Sequence, residues 1–183
     1  MSEKFQNKYR ITSARLQNWD YGRNAAYFVT ICTQHREHYF GDITNGIMQL
    51  SEIGLIVENE WLKTFQMRPD MNLQMDEFVI MPNHFHAIII IGANQYNTPR
   101  KNAMHCVSTN GDYKNEFGPQ SKNLASIIRG FKIGVTKNAR KIHADFAWQS
   151  RFHDHIIRND QSFLNIKNYI RNNPLKWTDD KLH

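Results

Sequence analysis

Apolar positions in this chain recur with two different periods, and the switches between them mark out its elements. Residues 25–33 (AAYFVTICT) are largely β-branched or aromatic and predict a strand. Residues 35–50 carry turn signals at Gly41-Asp42 and Asn45-Gly46, which predict a loop or small hairpin. From Ser51 the period lengthens. Ile53, Leu55, Ile56, Val57, Trp61, Leu62 and Phe65 recur at helical spacing, with Ser51 as N-cap and Pro69 closing the segment. Residues 71–81 and 84–91 predict two strands joined tightly through Pro82-Asn83. Residues 93–121 are rich in Asn, Gly, Ser and Thr, with little periodicity, and predict a long loop insertion. Residues 124–141 predict a helix with Leu124, Ile127, Ile128, Phe131 and Val135 inward and a basic outer face of Arg129, Lys132, Lys137, Arg140 and Lys141. Residues 146–157 predict the last strand, containing Phe152, His153 and His155. Residues 161–173 predict a closing helix with Phe163, Ile166 and Ile170 apolar, broken by Pro174.

The resulting order is β, α, β, β, α, β and a further helix. It predicts an α+β chain of the ferredoxin-like, split βαβ type: a four- to five-stranded antiparallel sheet with two helices on one face. The closing helix, which carries Tyr169, is then free to cross the open face. The length of 183 residues fits one domain over 1–183, with a basic N-terminal arm at 1–24 and no internal repeat.

Composition narrows the class. The chain is 40% hydrophobic, its longest apolar run is only Ala87 to Ile91, and Met1 to Phe5 has no signal-peptide character, so a cytoplasmic protein with no membrane contact is expected. Cys32 and Cys106 make no metal or redox motif. The net charge of +6 favours a polyanionic partner but does not by itself identify one.

The chemistry concentrates at Met81-Pro82-Asn83-His84-Phe85-His86. Alternation along a strand puts His84 and His86 on one face and Phe85 on the other. The pair either grips a divalent metal or is satisfied by hydrogen bonds in the core. A metal such as Mg²⁺ or Mn²⁺ would also require oxygen donors. Tyr169 and Asn173 stand four apart and share a helix face. They supply either a phenol and a carboxamide oxygen to such a site or a packing residue and a helix terminus. A metal, two imidazoles and a tyrosine suit phosphoryl transfer through a covalent phosphotyrosine.

Five stretches carry a resemblance: Tyr27 to Thr33, Met81 to His86, Ile128 to Lys132, Trp148 to Asn159 and Tyr169 to Pro174. Together and in this order, over roughly residues 20–178, they resemble the REP-associated tyrosine transposases, single-tyrosine HUH nucleases related to small insertion-sequence transposases. The resemblance implies a ferredoxin-like fold, single-stranded or hairpin-forming repeat DNA as substrate, and a Mg²⁺ or Mn²⁺ cofactor. It implies His84, His86 and Asn173 as metal ligands. It implies Tyr169 as the nucleophile that links to the 5′-phosphate and leaves a free 3′-OH. It also implies action at the nucleoid, by a monomer or by a dimer that exchanges the tyrosine helix. The 93–121 loop departs from the shared pattern, and the basic tail of some relatives is nearly absent. Expected DNA contacts are Arg129, Lys132, Trp148, Arg151 and Arg158, with Phe152 and Tyr21 as further stacking residues. His155 and Asp154 are expected to support the site, Asp154 by holding Arg158 or a metal-ligand imidazole. The rival readings are a nucleic-acid-binding regulator that does not cleave and a metal-dependent RNA-processing protein.

Overall fold

The computed structural model describes Leu16, residues 19–98, residues 121–180 and Leu182. Most of the expected N-terminal arm, most of the 93–121 loop and Cys106 lie outside the described residues.

The elements run β1 (Ala25–Cys32), β2 (Gly41–Thr44), β3 (Ile47–Leu50), α1 (Glu52–Gln66), β4 (Leu73–Met81), β5 (His84–Ile91), α2 (Leu124–Ala139), β6 (His153–Ile157) and α3 (Asp160–Asn172), then a 3₁₀ turn over Pro174–Asp179. Four strands form one sheet in the order β4-β5-β1-β6, with every neighbouring pair antiparallel. This is the α+β, split βαβ arrangement the sequence predicts. The expected small hairpin is β2–β3, turning at Asn45-Gly46 with both residues at positive φ. Gly41 opens β2 rather than making a turn, at φ 131°, where a side chain would collide with the Gln49 carbonyl.

Register divides the sheet into two chemically distinct faces. Tyr27, Val29, Ile31, Phe85, Ala87, Ile89 and Ile91 face α1 and α2 and are fully buried with Trp61 and Phe131. On the opposite face Thr30 lies across from both His86 and His153, and Cys32 across from His84. There α3 packs with Ile170 on Ile88 and Ile157, flanked by Phe163, Ile166, Phe28 and Val79. Each helix starts at a side-chain cap that takes up an otherwise unpaired backbone N–H: Ser51 accepts from Gly54, Asn123 from Ser126 and Asn159 from Ser162.

The last strand is shorter than predicted. Phe146 to Phe152 is not a strand, apart from an isolated bridge between Thr33 and Trp148. Its backbone pairs with the end of β1 through Gln34 N to Ala147 O and Gln149 N to Cys32 O, and Phe146 and Trp148 turn into the aromatic core. A β-rich composition there reflects burial, not continuous pairing.

Candidate active site

Strand parity, one tight turn and one helix assemble the site. The Pro82-Asn83 turn between β4 and β5 puts His84 and His86 on the α3 side of the sheet, with ring centroids 4.6 Å apart. Each imidazole is oriented through Nδ1. His84 Nδ1 lies 2.8 Å from Asn83 Oδ1, which can only accept, so the proton sits on Nδ1 and Nε2 keeps its lone pair. His86 Nδ1 lies 2.8 Å from Thr30 Oγ1, and its Nε2 lies 3.2 Å from the Tyr169 hydroxyl. Burial is the main cause that holds both histidines near pKa 3, so both rings are neutral at physiological pH.

α3 brings Tyr169 over this pair. Its ring is edge-on to Phe28, which stacks on His86. On the other side of the helix Lys167 meets Asp76 at 3.0 Å, and Arg171 Nε meets Glu77 at 2.9 Å. These pairs tie α3 to the bulge in β4 between Met75 and Phe78. Tyr169 is half-exposed, and its pKa is raised, first by burial and then by the Asp180 carboxylate. Asn173, just past the helix end, is buried, and its Oδ1 has no hydrogen-bond partner.

The chain then folds back over the site, which sequence reasoning missed. Trp177 lies against the His84 ring at 6.0 Å, and Asp180 reaches within 4.0 Å of His84 Nε2. The segment is fastened by the Leu182 carbonyl, which accepts from Asn83 Nδ2 at 2.8 Å and Arg36 Nη1 at 3.2 Å. With His84 neutral, the contact with Asp180 is not an ion pair. A gap of 4.0 Å leaves room for an ion between the two groups, given metal–ligand distances of about 2 Å. One donor atom from each of His84, His86 and Asp180 lies within 4.8 Å of the others. His84 Nε2 and Asn173 Oδ1 are both buried and unpartnered, which is costly unless something binds them. This donor set fits a divalent cation.

A cavity of about 890 Å³ opens onto these groups, lined by Phe28, Thr30, His86, Tyr169, Asn173 and Asp180 among others. The acid pair Asp179-Asp180 is the only sequence signal for the missed carboxylate, and the supporting roles of Thr30 and Asn83 carry none beyond adjacency to the motif.

No family model matches the chain. An uncharacterised protein of Haemophilus influenzae is 39% identical over 172 residues, spanning 93% of this chain and 92% of that protein. A second protein of that organism, provisionally named a REP-associated tyrosine transposase, is 26% identical over 158 residues, or 86% of this chain and 74% of its own. The solved structure of a REP-associated tyrosine transposase bound to a REP hairpin superposes with a TM-score of 0.58 at 17% identity, covering 93% of this chain and 77% of that one. The chain has the fold of that REP-associated tyrosine transposase.

Set within this transposase fold, the expected site residues divide into two groups. His86, Tyr169 and Asn173 line one cavity, and His84 is buried beside His86 with ring centroids 4.6 Å apart. The expected DNA contacts do not converge there. Arg129, Lys132 and Trp148 belong to α2 and its neighbouring segment, which pack on the opposite face of the sheet through Phe131 and Phe85. Lys132 is half-buried and donates to the Gln149 carbonyl at 2.5 Å, and burial lowers its pKa. It ties α2 to the segment at Gln149. Trp148 is only 8% exposed among Phe40, Phe131 and Phe146, and Tyr21 is buried against Tyr27. Arg129 and Arg151 are exposed, and Arg158 is exposed at the end of β6 beside His155 and Asn159. Asp154 pairs with Val29 and therefore points away from the histidine face, so it does not hold either imidazole.

Proposed function

We propose that this protein is a metal-dependent single-stranded DNA endonuclease and strand transferase acting on hairpin-forming repeat DNA. Tyr169 is its nucleophile, and His84, His86, Asn173 and Asp180 are its metal donors. The observation that carries this reading is the Tyr169 hydroxyl 3.2 Å from His86 Nε2, beside two buried donor atoms with no partner. The similarity to a provisionally named REP-associated tyrosine transposase and the hairpin bound by the structural neighbour support the substrate class.

Bound Mg²⁺ or Mn²⁺ would supply charge neutralisation at the scissile phosphate oxygens. The chain's own residues do the rest. Asn83 and Thr30 fix the imidazoles, so little reorganisation accompanies binding. The ion pairs of Lys167 and Arg171 hold α3 so that the phenol faces the cavity. The Tyr169 oxygen attacks phosphorus as the bond from phosphorus to the 3′-oxygen breaks. The phenol gives up its proton, the departing 3′-oxygen takes one up, and the 5′-phosphate remains on Tyr169. Rejoining is the reverse, with a 3′-OH as attacker, and consumes no nucleotide triphosphate. Because Tyr169 meets the His86 of its own chain, one protomer carries the full set of residues. Among the described residues no helix is long and apolar enough to cross a membrane, which fits work on chromosomal DNA in the cytoplasm.

The test is incubation with single-stranded hairpin repeat DNA and Mn²⁺ under denaturing readout. A protein–DNA adduct that Tyr169→Phe lacks is expected. Tight hairpin binding with no adduct at any strand would instead favour the regulator that does not cleave.

A further inference from the structure

The cavity has two unlike walls. One carries His86 and the acids Asp179 and Asp180. The other is the Tyr169 face of α3, which presents Asn165, Asn168 and Asn172 to the same space. These stand four before, one before and three after the phenol, so Asn165 and Asn172 flank it one turn to either side. All three are exposed. Asn165 Oδ1 accepts from Gln161 Nε2 and Asn172 Nδ2 donates to the Asn168 carbonyl. Asn165 Nδ2, Asn172 Oδ1 and the whole Asn168 amide have no partner among the described residues. Asparagine is a poor helix former, and an exposed helix face has no folding reason to repeat it.

We propose that this carboxamide row reads an unpaired base next to the scissile phosphate, making Asn165, Asn168 and Asn172 specificity-determining residues. The inference rests on the single-stranded DNA reading above and adds which part of the strand the α3 wall takes. An uncharged group pairing a donor with an acceptor matches a base edge, whereas a phosphate favours a cation such as Lys176, which also lines the cavity. Phe28, stacked on His86 at 5.2 Å, gives the floor an aromatic surface for a base to lie on. The volume of about 890 Å³ falls within the range of roughly 300–1,000 Å³ typical of sites that enclose a small organic group. A rise of 1.5 Å per residue puts Asn165 about 6 Å along the axis from Tyr169, a step comparable to the next nucleotide of a strand.

The experiment uses the full chain with Mn²⁺ and a hairpin oligonucleotide pool randomised in its unpaired flank, sequenced before and after cleavage. Wild type is expected to show a base preference beside the cut. In Asn165→Ala, Asn168→Ala or Asn172→Ala that preference falls about tenfold at one position, while the preferences elsewhere in the flank persist. As a readout independent of cleavage, an abasic nucleotide beside the scissile phosphate should weaken wild-type binding without metal and have no further effect on the variant that lost that preference. These exposed positions gain helix propensity on substitution to alanine, so the variants fold. Variants that keep the wild-type base profile, or that slow all sequences equally, overturn the inference and leave the proposed function standing. Failure of wild type to cleave any member of the pool overturns both.

Discussion

At Tyr169 one hydroxyl and one prospective cation have claims on the same nitrogen. The phenol is hydrogen-bonded to His86 Nε2, which is also the atom His86 would offer to a metal. Removing the hydroxyl therefore frees a donor. Tyr169→Phe is expected to lose adduct formation while binding Mn²⁺ up to about fivefold more tightly, the worth of one ordinary hydrogen bond, as measured by electron paramagnetic resonance titration. Weaker binding would show that the phenol is itself a ligand. Asn83 has the opposite sign. It holds both His84 Nδ1 and the Leu182 carbonyl, so Asn83→Ala should reduce Mn²⁺ affinity about 10- to 100-fold with Tyr169 untouched. Four of these residues were legible because their relations are local: parity pairs His84 with His86, and one helical turn pairs Tyr169 with Asn173. Asp180 and Thr30 were not. Their place depends on a tail folding back and on strand register, which residue spacing does not encode.

For the elements, amphipathic period says which side of a helix faces inward but not which face of the sheet it covers. The split βαβ order supplies that face, putting α1 and α2 together on one side and leaving the histidine side to α3. The final strand was overextended because Phe146 and Trp148 are buried without being paired along a ladder. α3 is the element whose placement matters most, and two kinds of contact hold it. Ile170 is fully buried against Ile88 and Ile157, and Ile170→Ala should lower stability by about 2–5 kcal/mol in denaturant unfolding. The ion pairs are different. They are partly exposed, so Arg171→Glu is expected to change stability by less than about 1 kcal/mol. It should nonetheless slow adduct formation by up to about a hundredfold, because a small misplacement of the nucleophile is costly. Glu77→Arg in the same chain should restore the rate. A large loss of stability with no rescue would make the pair structural.

For the whole molecule, the strand order was readable because a β-α-β-β-α-β sequence of elements has few antiparallel solutions. Its pH behaviour follows from what that sheet buries. His84 and His86 are held near pKa 3 against about 6.5 in an unfolded chain, so between these values the unfolded state binds more protons. Stability is therefore full above about pH 6.5 and falls as the solution is acidified toward pH 3, by at most about 1.4 kcal/mol per pH unit per histidine. Urea midpoints at pH 7, 5.5 and 4.5 should decline in that order for wild type and markedly less for His84→Gln. Equal slopes would place the titrating groups elsewhere. The encounter of Tyr169 with its own chain's His86 also limits how much one molecule can do at once. Under the proposed mechanism, with a single phenol lining the cavity among the described residues, a protomer keeps hold of only one broken end. It must reseal that end or hand it to an incoming 3′-terminus before it opens another. An exchange between two distant repeats then calls for two molecules working side by side, or for one molecule taking the breaks in turn.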